Sequence, residues 1–174
     1  ERITEESCRK VLEELRGRVD TVSQLYSVLY LSGDTRNVKL DEFFSSVLRT
    51  LSNSIAPAGV KVEHTFEPIT AHAKDAAAWG IILNELVTNA FKYAFPGGRS
   101  GRIVVDFLRK DGTIVLSVSD DGVGLPDDFD LSSPKGFGMR IINLMVKQLR
   151  GIIEVSQEGR TTFIVRVLER TASG

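Results

Sequence analysis

The stretch SVSDDGVGLPDD, Ser117 to Asp128, starts as an alternating strand and stops at Asp120, Asp121, Gly122, Val123 and Gly124. Turns are rich in Asp and Gly, so a hairpin tip accounts for the composition. It does not account for two acids followed by two glycines at the end of a strand that reads as buried. What surrounds the stretch decides between a plain turn and a site.

Immediately before it, residues 102–109 and 113–119 read as two strands joined by Lys110-Asp111-Gly112, a hairpin signal. After it comes a loop over residues 120–135. A helix over residues 138–149 follows, with Ile141, Ile142, Met145, Val146 and Leu149 on one side and Gly151 as its stop. Residues 152–156 and 161–168 read as closing strands. Upstream, Asp41 is placed to cap a helix running to about Ser54. Pro57-Ala58-Gly59 turns the chain into a strand over residues 60–66, and a polar loop leads to a helix over residues 74–95, stopped by Phe95-Pro96-Gly97-Gly98. Strands and helices in mixed order imply an α/β sandwich, a sheet with helices packed on one face.

The chain has 174 residues, of which 42% are hydrophobic, enough for one domain with a real core and an appendage. A net charge of −1 argues against non-specific binding to nucleic acid or to a membrane surface. No apolar run approaches the roughly 18 residues of a membrane span. A single cysteine, Cys8, excludes an internal disulfide and fits a reducing compartment, so a cytoplasmic location is expected. Residue 1 is Glu, which suggests a fragment of something longer.

Residues 3–31 form a separate piece. Cys8, Val11, Leu12, Leu15, Val19, Val22, Leu25, Tyr26 and Leu29 recur at three- and four-residue steps, and Ser32-Gly33 ends the run. This is a helix with one apolar seam that needs a partner helix. The expected division is therefore 1–34 and 35–174.

In the central helix, Trp79, Ile82, Leu83, Leu86, Val87, Ala90, Phe91 and Ala94 fill one arc, while Glu85, Thr88, Asn89 and Lys92 fall opposite. Glu85, Asn89 and Lys92 thus share a face. A solvated face would look the same. A phosphate and metal site also would: an amide oxygen suits Mg²⁺, which keeps waters and phosphate oxygens around it. Lys92 would neutralise phosphate, and Glu85 could accept a proton or orient a nucleophile. Further on, Lys135-Gly136-Phe137-Gly138 leads into a helix, where backbone N–H groups and the helix dipole favour an anion. It is neither a Walker loop nor a dinucleotide fingerprint.

Taken together, these segments resemble the Bergerat-type ATP-binding fold shared by histidine kinases, gyrase-type ATPases, Hsp90 chaperones and MutL proteins. NELVTNAFKYAFP resembles the N box, DDGVGLP the G1 box and KGFGMRII the G2 box of a histidine kinase, and GIIEVSQEGRTTFIVRV resembles its closing strands. The resemblance covers about residues 38–168 and is greatest to the HisKA_2 subfamily, with the HWE group second. It implies that Asp120 accepts the exocyclic N–H of adenine, that Gly122 lets the base lie close to the backbone, and that Gly124 starts a lid. It implies that Asn89 ligates Mg²⁺, that Lys92 contacts phosphate, and that Tyr93 neighbours the nucleotide. Glu85 falls where ATPase members carry a general base. Lys135, Gly136, Phe137 and Gly138 match the phosphate side, and Thr161 supports the adenine site. Asp121 has a supporting or metal-side role, and Phe129 is a candidate for the lid phenylalanine.

The function this implies is the ATP- and Mg²⁺-dependent catalytic domain of a two-component sensor histidine kinase. Its partners would be a response-regulator receiver domain and a second copy, paired through a helical hairpin of which residues 1–34 are the second helix. Neither His64, in a strand, nor His72, in a loop, has the setting of the family's acceptor, which is expected on an upstream helix. The alternative is a regulatory protein on the same fold, such as an anti-sigma serine kinase or a phosphotransfer scaffold.

Overall fold

The computed structural model describes residues 37–134 and 136–169, with the single positions Leu12, Val19 and Ser23. The N-terminal helix expected over residues 3–31 otherwise lies outside the described residues. Those three positions are helical, and Leu12 and Val19 are exposed.

In chain order the elements are β1 (Asn37–Lys39), α1 (Leu40–Ile55), β2 (Val60–Phe66), β3 (Thr70–His72), α2 (Ala73–Asn89), β4 (Gly101–Lys110), β5 (Thr113–Asp120), α3 (Phe137–Gln148), β6 (Ile152–Ser156) and β7 (Thr161–Leu168). Five strands form one mixed sheet in the order β2-β4-β5-β7-β6. The β2–β4 pair is parallel and the others are antiparallel. The β4–β5 hairpin turns at Asp111 and Gly112, with φ of 50° and 70°, the pair of positive angles that a two-residue Asp-Gly turn needs.

Alternate residues of the central strands point to one face: Ile103, Val105 and Phe107 from β4, Leu116 and Val118 from β5, Phe163 and Val165 from β7 are all buried. Phe107 joins the layers. Its ring lies 4.8 Å from Phe44 of α1 and 5.3 Å from Trp79 of α2, both edge-on. Truncating a buried aromatic at such a junction costs about 3–5 kcal/mol. The apolar arc from Trp79 on α2 to Ala94, just past its end, is buried, and α3 packs beside it through Met139, Ile142 and Val146.

Three local expectations are corrected. Asp41 is not a cap. The helix starts at Leu40, the cap position is Lys39 with no side-chain bond, and Asp41 sits in the first turn. The N–H of Leu40 is met instead by the Ile69 carbonyl at 2.8 Å, so a tertiary contact replaces the cap. The polar loop before the central helix contains β3, which pairs with β1 in a small second sheet whose partner lies far away in sequence. The central helix does not run to Phe95 as one α-helix. After Asn89 it widens into a π turn over Ala90–Ala94.

Candidate functional site

The polar face of α2 is not solvated as a whole. Glu85 and Asn84 are buried, Asn89 is half-buried, and only at Lys92 does the face reach solvent. Thr88 donates its hydroxyl to Asn84 Oδ1 at 3.1 Å. A carboxylate buried on this scale needs polar neighbours, and α3 supplies a helix N-terminus beside it. A Cβ on Gly138 would stand 2.6 Å from Glu85 Oε2 and 3.8 Å from Asn89 Oδ1. Gly138 therefore permits the close approach of α3 to Glu85, while Asn89 lies at ordinary contact distance. The Asn89 amide nitrogen reaches Met139 Sδ at 3.6 Å, which orients the side chain. Hard oxygens at Glu85 and Asn89, with no dedicated cage, are the kind of donors Mg²⁺ uses when phosphates and waters complete its shell. Among the described residues no group of three or more His, Cys, Asp or Glu side chains could hold a metal alone.

The π turn connects α2 to the other side of the site. Such turns put an extra residue into the helix and recur at functional positions. This one carries exposed Lys92 and Tyr93, and it aims the Ala94 carbonyl at the end of β5, where Val123 N–H donates to it at 3.0 Å. A Cβ on Gly122 would collide with that carbonyl and with the Ala94 Cβ. The protein's own packing thus already requires Gly122 to be glycine. Gly124 has φ of 87°, a conformation that side chains resist.

Asp120 ends β5 with its side chain buried, opposite Ile103 on β4 and Thr161 on β7. Its Oδ1 accepts the Gly122 N–H at 3.0 Å, which fixes the carboxylate plane. Burial pushes the Asp120 carboxyl above the usual aspartate range; the Gly122 bond works against this and the Asp121 charge adds to it. Thr161, also buried, is brought next to it. Asp121 is put to structural use: its Oδ1 accepts the Arg102 N–H at 2.7 Å, and Arg99 donates to its carbonyl at 3.1 Å. Asp121, expected in a supporting or metal-side role, thus pins the start of β4.

On the α3 side, Phe137 is exposed and Gly136 has open space around it. Lys135 lies outside the described residues. Phe129, the candidate lid phenylalanine, is half-buried and packs edge-on against Phe163 at the margin of the core, ring centres 5.9 Å apart. Sequence reasoning missed Ala94 and Met139. Both stand inside the segments that resemble the N and G2 boxes, but each acts through a carbonyl or a sulfur, which residue type alone does not signal.

The sheet with helices on one face, and two glycine-bearing segments gathered at one acid- and amide-bearing helix, define the Bergerat-type ATP-binding sandwich. The family described as histidine kinase-, DNA gyrase B-, and HSP90-like ATPase matches residues 74–171, and the chain belongs to it. A second family, the HisKA_2 histidine kinases, matches residues 1–55. Among curated relatives, blue-light-activated histidine kinase 2 of Erythrobacter litoralis is 23% identical over 87% of this chain. Sensor histidine kinase PdtaS of Mycobacterium tuberculosis is 27% identical over 91% of it. The chain spans 45% and 32% of those proteins' lengths. The solved histidine kinase domain of the Erythrobacter litoralis EL346 blue-light activated kinase has a TM-score of 0.83 at 22% identity, covering 89% of this chain and 74% of that one. The catalytic domain of histidine kinase ThkA has a TM-score of 0.61 at 19% identity, covering 76% and 95%. At these identities the structural likeness concerns the fold.

Proposed function

We propose that this chain provides the ATP-binding catalytic part of a sensor histidine kinase. The observation that carries the reading is the position of α2. Its buried Glu85 and half-buried Asn89 meet the N-terminus of α3 on one side, and its π turn meets Gly122, beside Asp120, on the other. One helix therefore spans a phosphate end and a base end. Asp120 would accept the adenine amino group, with Thr161 beside it. Tyr93 would border the nucleotide, and Lys92, Gly136, Phe137 and Gly138 would face its phosphates, with Lys135 adjoining them in sequence. Asn89 would hold Mg²⁺, which when bound neutralises phosphate charge. Glu85 would order the groups at the γ-phosphate.

In the transfer step an imidazole nitrogen forms a bond to the γ-phosphorus, the bond to the β–γ bridging oxygen breaks, and ADP leaves. Catalysis of this kind is mainly positioning and electrostatics. The two histidines of this chain are poorly placed as acceptors. His64 is on edge strand β2 with its ring 4.6 Å from Phe66, and His72 ends β3 just before α2. The acceptor is then a histidine outside residues 1–174. A response-regulator aspartate would receive the phosphoryl group next. Residues 1–34 would belong to a dimerising hairpin, a role that exposed Leu12 and Val19, seven residues apart, support. Such a reaction belongs in the cytoplasm; no helix among the described residues is long and apolar enough to cross a membrane.

The test is transfer from γ-labelled ATP to a separate helical hairpin bearing an acceptor histidine. Acid-labile label on the hairpin, unchanged by His64→Ala or His72→Ala, is expected. Acid-stable label on a partner would favour the serine-kinase alternative, and acid-labile label on His64 or His72 would overturn the placement of the acceptor.

A further inference from the structure

Residues 125–134 are anchored from within the protein. At its start the Leu125 N–H donates to Gln157 Oε1 in the β6–β7 turn at 3.2 Å. In the middle, Phe129 N–H donates to the Pro126 carbonyl at 3.0 Å while its ring packs on Phe163. Asp130 Oδ1 accepts both the N–H and the hydroxyl of Ser132, at 2.8 and 2.7 Å. Those two bonds hold the Asp130 carboxyl below the usual range. At its end two side chains of α3 take hold of backbone carbonyls: Asn143 Nδ2 donates to Leu131 O and Arg140 Nε donates to Pro134 O, each at 3.2 Å.

The choice of those two residues runs against what α3 needs for itself. Asn is a weak helix former because its amide competes for backbone partners. Asn143 nevertheless sits in the middle of a twelve-residue helix. A cation in the first turn faces the positive end of the helix dipole. Arg140 is in the fourth position, and the first turn holds no acid. Local rules broken without local gain point to a contact elsewhere, and here both side chains, one turn apart, reach the same segment.

We propose that Asn143 and Arg140 are positioning residues that fasten residues 125–134 to α3 before nucleotide arrives. The segment is then a preset wall of the site, carried by the same helix whose N-terminus faces Glu85 and Asn89, and it governs how long nucleotide stays rather than how fast it enters. This rests on the nucleotide reading above. The test compares the whole chain with Asn143→Leu and Arg140→Gln. Leucine is the better helix former, so it removes the donor without weakening α3.

Amide hydrogen exchange is followed without nucleotide at residues 125–134, and release of a fluorescent ADP analogue is timed separately. Loss of one such bond should speed exchange at Phe129 and Ser132, and analogue release, about three- to tenfold, with association unchanged. Wild-type exchange at unprotected rates in this segment would overturn the proposal. So would an Asn143→Leu protein whose exchange and release both match wild type. The exchange measurement needs no ligand, so failure to bind any nucleotide would count against the proposed function while the anchoring is still decided.

Discussion

Asp120→Asn separates the two demands on the strand-end acid. In the wild type one carboxylate oxygen is committed to the Gly122 N–H at 3.0 Å. An asparagine there keeps its oxygen on that N–H, because an amide nitrogen cannot accept, and so turns its NH₂ to where the second carboxylate oxygen stood. A donor then faces the adenine donor. The loss of a charge-assisted bond alone is worth about 1.5–3 kcal/mol, roughly ten- to a hundredfold in affinity. Calorimetric titration with ATP should show at least the lower figure.

Stability should move the other way. The folded-state pKa of Asp120 is raised, chiefly by burial. The folded protein therefore holds this proton over a window in which the unfolded chain has lost it, and stability falls as pH rises through that window. The cost begins just above the ordinary aspartate value, is complete above the raised one, and persists at neutral pH. Asp120→Asn removes it, so the urea midpoint at pH 7 should rise and the mildly acidic decline should flatten. Unchanged ATP affinity in a folded variant would refute the adenine role. A midpoint-against-pH curve identical to wild type would refute the buried-carboxylate argument.

Other consequences are as direct. Asn89→Ala should abolish most of the difference between nucleotide affinities measured with Mg²⁺ and with a chelator, while binding without metal changes little. Gly138→Ala places a methyl 2.6 Å from Glu85 Oε2 and should cost about 1–3 kcal/mol in urea unfolding despite the better helix former; Glu85→Ala in the same chain should recover most of it. Gly122→Ala drives a Cβ into the Ala94 carbonyl, which is backbone and cannot swing aside, so a similar loss should appear that no side-chain truncation relieves.

Much of this molecule is local in origin and was legible along the chain. Strands Val60–Phe66, Ile152–Ser156 and Thr161–Leu168 stand where alternation puts them, and Asp111-Gly112 turns the hairpin because that dipeptide tolerates positive φ. The buried arc of α2 follows from 3.6-residue periodicity, and the order of acids, amide and glycines pointed to the family. What one dimension could not show is where polar groups find partners. The Leu40 N–H is satisfied by Ile69, Asp121 is drawn to the β4 backbone, and Glu85 is buried because α3 happens to lie across it. The π turn at Ala90–Ala94 has the same apolar rhythm as an α-helix, and its hydrogen-bond shift shows only in three dimensions, where Ala94 meets the strand end. Composition and period are properties of neighbours along the chain. Desolvation and hydrogen bonding are settled by neighbours in space, and those exist only after the sheet and helices have closed on each other.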